Sequence, residues 1–239
     1  MSEKARHGVL KLMNEELDRR IGGISLPSLI VIEGPNDSGK SVLSYQIIYG
    51  ALSMGLKVCL ISSEGGGRII VKNMESLSFN VKRHYLAGYL HVIPFYVKDT
   101  KWRPEYSKII MEMLIAYINA KAGRFDFFVV DSLTVFVTGG DQEDILTFLS
   151  RLRMISEKNN VSMVFTVHPY ALTQETLIRI RSLADAHFLL SIKEVGDKIF
   201  KTMQVLKIRG ASKSSSQTIS FDVDPAFGIK ILPYTQVKV

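Results

Sequence analysis

Apolar positions follow two different periods along this chain, and the change comes near residue 186. Up to residue 184, short apolar runs alternate with stripes at helical spacing. Leu29 to Ile32, Lys57 to Ser63, Tyr89 to Phe95, Phe127 to Asp131 and Val161 to Val167 predict strands. Between them, residues 9–19 (Val9, Leu10, Leu12, Met13, Leu17), 41–52, 68–77, 105–122, 141–158 and 173–184 predict helices. The 105–122 stripe reads as Ile109, Ile110, Met113, Leu114, Tyr117 and Ile118. In 141–158 it reads as Ile145, Phe148, Leu149, Leu152 and Ile155, with Asp141 as N-cap. From Ala186 the chain turns to successive strands: Ala186 to Ile192, Ile199 to Ile208, Gln217 to Val223 and Ile229 to Leu232. Glu194 to Lys198 is a turn signal between the first two. Alternating strand and helix predicts an α/β fold, a mainly parallel sheet flanked by helices. The closing run predicts C-terminal antiparallel strands that extend it.

Gly34-Pro35-Asn36-Asp37-Ser38-Gly39-Lys40-Ser41 matches the P-loop pattern G-x-x-x-x-G-K-[ST]. It sits between a predicted strand and a predicted helix, the context the pattern requires. Backbone N–H groups wrap a polyphosphate there, and glycines stand where a Cβ would collide. The helix N-terminus, from Ser41 and Val42 onward, favours an anion. Lys40 supplies a point charge to the β- and γ-phosphates, and the Ser41 hydroxyl suits a Mg²⁺ shell. Asp131 ends an apolar strand and is the acid expected to hold Mg²⁺ through water. Strand ends of a parallel sheet converge on one edge. Glu64, expected on the strand beside the P-loop strand, is therefore a candidate base for an attacking water. His168 is a candidate γ-phosphate sensor. Lys207 and Arg209 lie on one side of a strand by alternation.

Composition narrows the class without choosing a partner. With 46% hydrophobic and 22% charged residues, the chain is globular, and one α/β domain over 1–239 fits its length. A net charge of +7 suits phosphates, nucleic acid or an anionic membrane surface. The one cysteine, Cys59, excludes an internal disulfide framework and is expected buried and inert. No apolar run reaches the roughly 18 residues of a membrane span. Met1 to Arg6 lacks the apolar core of a secretory signal, so a cytoplasmic location is expected.

Glu16 to Gly23, the P-loop, Asp131-Ser132-Leu133-Thr134 and Leu206-Lys207-Ile208-Arg209-Gly210 together resemble the RecA-like ATPases of the KaiC group. Ile61-Ser62-Ser63-Glu64 and the overall layout are most similar to that group's accessory branch in the archaellum, the archaeal motility motor. The resemblance implies a RecA-like P-loop core that binds ATP with Mg²⁺. It also implies a homo-hexameric ring with nucleotide at subunit interfaces, where Lys207 and Arg209 reach a neighbour's phosphates. The implied partners are the motor ATPase and its scaffold proteins at the cytoplasmic face of the membrane. Hydrolases of the group carry two consecutive glutamates where this chain has Ser63 and Glu64, so weak or absent hydrolysis is expected.

An active ATPase or autokinase, with Ser212 to Ser216 as acceptors, is one alternative. A recombinase-like DNA binder is another. The link after the 161–167 strand, Pro169 to Leu172, is too short and not basic, so nucleic acid is not the expected partner. Trp102 and Tyr106, beside Lys101 and Arg103, are read as a partner-facing loop before a base-stacking one.

Overall fold

The computed structural model describes residues 7–96, 104–195, 198–210 and 218–232. The apolar runs become strands β3 (Leu29–Glu33), β4 (Val58–Ser62), β5 (Leu90–Pro94), β6 (Phe127–Asp131) and β7 (Ser162–Val167). The helices between them are α2 (Lys40–Ser53), α3 (Gly67–Glu75), α5 (Pro104–Lys121) and α7 (Gln142–Asn159), with two short additions, α4 (Lys82–Leu86) and α6 (Thr134–Val137). After α8 (Gln174–Leu183) come β8 (Ala186–Val195), β9 (Lys198–Ile208), β10 (Thr218–Asp224) and β11 (Gly228–Ile231). Among the described residues these strands form one nine-stranded sheet in the order β11-β10-β9-β8-β3-β7-β6-β4-β5. Strands β8 through β5 in that order are parallel. The pairs β8/β9, β9/β10 and β10/β11 are antiparallel, as the change of period predicts.

Every residue of β3, β4, β6 and β7 is buried, because helices cover both faces. On one face α2 and α3 pack into a core with Ile30, Ile32, Leu60 and Phe127. On the other, α5 through α8 pack on Val31, Ile61, Phe128 and Phe165. Helix α2 is buried nearly all round, which explains why its sequence shows little amphipathic contrast. Cys59 lies buried within β4, and burial pushes its thiol up to about 11.

Four expectations change. Residues 9–19 are not one helix. Gly8–Leu10 is strand β1, pairing with β2 (Ile24–Leu26), and α1 spans Glu15–Ile21. Met13 has φ +59°, and Asn14 caps α1 by accepting from Leu17 N at 3.1 Å. That polar cap, together with strand pairing, overrides the apolar period. In α5, Ile109 and Met113 are 56% and 63% exposed, while Met111 and Ile115 join Leu114 and Ile118 in the core. Asp141 does stand at the N-cap of α7, but its side chain makes no capping bond. Glu64 does not follow a strand adjacent to β3, since β7 and β6 separate β4 from it. The turn residues Gly196 and Asp197, Lys101 to Arg103, and Ser212 to Ser216 lie outside the described residues.

Phe128→Ala, emptying a fully buried site, is expected to cost about 3–5 kcal/mol. Ile109→Ala on the exposed face of α5 is expected to stay within about 0.5 kcal/mol. Urea unfolding of both variants checks the reassigned face.

Candidate functional site: a P-loop cavity at the carboxyl edge of the sheet

The carboxyl ends of the parallel strands meet in a cavity of about 500 Å³. Asn36, Asp37, Gly39, Lys40, Ser41, Val42, Glu64, Asp131 and His168 line it. β3 delivers the loop: Gly34 N donates to Val167 O of β7 at 3.1 Å. Gly39 has φ +95° and caps α2, and its missing side chain leaves room for Phe221 of β10, 3.1 Å from where a Cβ would sit. A Cβ at Gly34 would stand 2.9 Å from the Leu190 carbonyl oxygen of β8. Pro35 and Ser38 set the loop's internal bond, with Ser38 Oγ donating to Pro35 O at 2.8 Å.

Lys40 is buried, and its Nζ donates to Pro35 O at 2.6 Å. Burial pulls its pKa down, against the attraction of Asp131, Asp37 and Glu64. Asp131 is buried as well. Burial and the nearby Glu64 raise it to about 6, opposed by hydrogen bonds from Thr166 and Ser41 and by the Lys40 charge. Glu64 lies beyond the end of β4 and still reaches the loop. Its Oε1 accepts from Ser41 Oγ at 2.9 Å, and its Oε2 accepts from Tyr45 Oη at 3.3 Å. Tyr45 is held protonated, chiefly by burial.

His168 ends β7 beside this group. Its backbone N–H donates to Thr134 Oγ1 at 2.9 Å, and Thr134 Oγ1 lies 3.1 Å from His168 Nδ1. Ser132 Oγ lies 3.4 Å from the same ring nitrogen. Burial and the Lys40 charge lower the His168 pKa to about 4, so the ring is neutral at pH 7.

Lys207 and Arg209 are not in this cavity. Lys207 Nζ donates to Ser182 O at 3.3 Å, and Arg209 Nη1 donates to Asp185 Oδ1 at 3.4 Å. Asp185 also accepts from Leu29 N, so this pair sits where β3 begins, at the other end from the P-loop. The sequence reading missed Lys201, Ser63, Ser132 and Val223, which complete the lining. It also missed the buried group below the loop. Glu33, next to Gly34, accepts from Arg181 at 2.6 and 3.0 Å and lies 3.1 Å from His187 Nε2. An acid at the end of a buried strand was the available signal.

The donor set fits a magnesium nucleotide. The loop glycines leave backbone room, Lys40 offers a buried ammonium, and Ser41 with Asp131 offers hard oxygens. Among the described residues no three His, Cys, Asp or Glu side chains cluster to hold a metal by themselves. Mg²⁺ bound by one or two protein oxygens, phosphate and water needs no such cluster.

A protein-family model described as "ATPase: KaiC" matches residues 10–236. The chain belongs to the KaiC family of ATPases. Within that family it is 32% identical over 225 residues to the archaeal flagellar ATP-binding protein FlaH of Sulfolobus acidocaldarius, covering 94% of this chain and 97% of the relative. The FlaH of Methanocaldococcus jannaschii is 29% identical over 93% of this chain and 94% of its own. The crystal structure of that protein superposes with a TM-score of 0.79 at 27% identity, covering 95% of this chain and all of the other. A KaiC-like protein from Pyrococcus horikoshii shares the fold at a TM-score of 0.74 and 18% identity, over 95% of this chain and all of that one. The FlaH relatives, the RecA-like KaiC fold and the antiparallel C-terminal extension agree with the sequence reading.

Glu33 gives a pH test of the support below the loop. Burial alone raises a carboxyl, but hydrogen bonds from His187 and Arg181 and their charges prevail and lower Glu33 to about 2. A depressed carboxyl stabilises the fold above its unfolded value near 4.5 and loses that contribution as pH falls through about 2. Between those limits wild type is expected to lose about 3 kcal/mol more than Glu33→Gln, read by urea unfolding at stepped pH.

Proposed function

We propose that this chain binds ATP with Mg²⁺ in the P-loop cavity and works as a nucleotide-gated assembly component of an archaellum motor, with slow or no hydrolysis. The observation that carries the reading is one cavity gathering Lys40, Ser41 and Asp131 in a chain that matches FlaH proteins, named as archaeal flagellar ATP-binding, over most of its length. In this reading Gly34 through Val42 hold the phosphates, Ser41 coordinates Mg²⁺ and Asp131 holds its water shell. His168 senses the γ-phosphate.

Slow hydrolysis follows from Glu64. It is a single carboxylate beside Ser63, and Ser41 and Tyr45 already share it. General base catalysis is worth about 10²–10⁴-fold, so a half-built base site leaves a protein that stays mostly ATP-bound.

Assembly requires ATP to bind the ring more tightly than the free subunit. Lys207 and Arg209 are the candidates for that difference. What supports a role in trans is their distance in the fold from their own P-loop, and the 73% exposure of the Arg209 side chain. The ring is proposed to be a homo-hexamer that docks on the motor ATPase and scaffold at the cytoplasmic face of the membrane. Among the described residues no helix is long and apolar enough to cross that membrane.

MgATP at about a thousand times its dissociation constant is expected to stabilise wild type by about 4 kcal/mol and Lys40→Ala not at all. Equal shifts in the two proteins overturn the site. Arg209→Ala is expected to keep the MgATP shift while losing ATP-dependent oligomers in light scattering. Oligomers that persist in this variant end the trans role. Phosphate release in wild type is expected to match Glu64→Gln. A rate tenfold or more above it (about 1.4 kcal/mol of barrier) makes the protein an active ATPase instead.

A further inference from the structure

Glu64 is tied down at both its main chain and its side chain. Its backbone N–H donates to Ser62 Oγ at 3.1 Å, which fixes it to the end of β4. Its carboxylate is gripped twice by α2. Ser41 Oγ donates to Oε1 at 2.9 Å, and Tyr45 Oη donates to Oε2 at 3.3 Å. Residues 41 and 45 are about one turn apart, so they share a face of the helix and meet the two oxygens of one carboxylate.

The two donors pull in different directions. Ser41 stands at the loop, beside Lys40. Tyr45 lies about 6 Å farther along the helix, away from the loop. It therefore holds Oε2 toward the helix and away from the phosphate end of the cavity. Tyr45 is 3% exposed and belongs to the core between α2 and the sheet. Packing alone asks only for phenylalanine there, and a buried hydroxyl is costly unless it has a polar task. Asn73 of α3 also hydrogen-bonds the phenol oxygen. The phenol has one proton and a carboxylate only accepts, so that proton goes to Glu64 while Asn73 donates from the other side.

We propose that Tyr45 is a positioning residue that keeps Glu64 from acting as the base for ATP hydrolysis. This role rests on the nucleotide reading of the P-loop cavity. In hydrolysis a water oxygen bonds to the γ-phosphorus. The bond from that phosphorus to the β,γ-bridging oxygen breaks, and its electron pair leaves with ADP. One water proton goes to a carboxylate, which later returns it to phosphate or solvent. With Oε1 on Ser41 and Oε2 on Tyr45, Glu64 is turned from that water. Asp131 does not replace it, because it is buried, accepts from Thr166 and serves the Mg²⁺ side.

Tyr45→Phe keeps the ring in the core and removes only the hydroxyl. Phosphate release at saturating MgATP is expected to rise at least about tenfold over wild type, with KM for MgATP kept within about threefold. The double variant Tyr45→Phe/Glu64→Gln is expected to lose the whole gain. A hydroxyl with only a structural role gives no gain, or one that survives the loss of Glu64. Tyr45→Leu, which also lacks the hydroxyl, carries the same expectation if Tyr45→Phe does not fold. A thermal shift with MgATP on the same samples separates the two readings. No shift in wild type ends the nucleotide reading and the role of Tyr45 with it. Where wild type and the variant both shift, release no faster than wild type, or a gain retained in the double variant, overturns the role of Tyr45 alone.

Discussion

Lys40 and Asp131 are both buried and oppositely charged, and the geometry around the P-loop depends on keeping them so. Neither stands alone. Burial works against the charged form of each, lowering Lys40 and raising Asp131, and their mutual attraction works the other way. Glu64 at the mouth tips the balance toward negative charge, and this contributes to the rise of Asp131. A cavity with more carboxylate than ammonium and a serine hydroxyl between them favours a divalent cation before it favours a bare anion. Its affinity for phosphate then comes from the loop's backbone and the helix end.

Sheet topology makes this balance affordable. β3 is flanked by β7 and β8 in parallel register, so its carboxyl end is fixed from both sides. Gly34 N is tied to β7, and Leu190 of β8 lies against Gly34. Below the loop, Glu33 anchors Arg181 from α8 and His187 from β8. The phosphate cradle thus rests on a second buried ion cluster, which couples loop geometry to the packing of α8. Removing one partner of such a cluster leaves an uncompensated charge, a far larger cost than losing an exposed pair.

Much of this was legible in the sequence, and the reasons for the failures are physical. The P-loop, Asp131, His168 and Glu64 are local signals, an apolar run followed by chemistry, and all of them meet in the cavity. The neighbours of each strand were not legible. Nothing in residues 57–64 reveals that β6 and β7 intervene between β4 and β3, because strand order is set by crossovers rather than by any one segment. Residues 9–19 misled because Val9 and Leu10 are apolar for a strand while Leu17 is apolar for a helix, and only Asn14 marks the border. The Ile109 and Met113 faces misled because an apolar residue on a helix flanking a sheet need not face the core. Lys201 and Val223 were invisible for the opposite reason. They sit on strands that reach the cavity only after the antiparallel extension has folded back beside β8.

That extension links two cavities and argues for treating the C-terminal strands as more than an edge. Phe221 of β10 packs against Gly39, and Val223 lines the P-loop cavity. A few residues on, Ala226, Phe227 and Ile229 line a second cavity. Helix α2 runs between the same two places, with Lys40 and Ser41 at one and Gln46 and Tyr49 at the other. Two rigid elements therefore touch both sites. A shift of the hairpin on phosphate binding is therefore felt at both places.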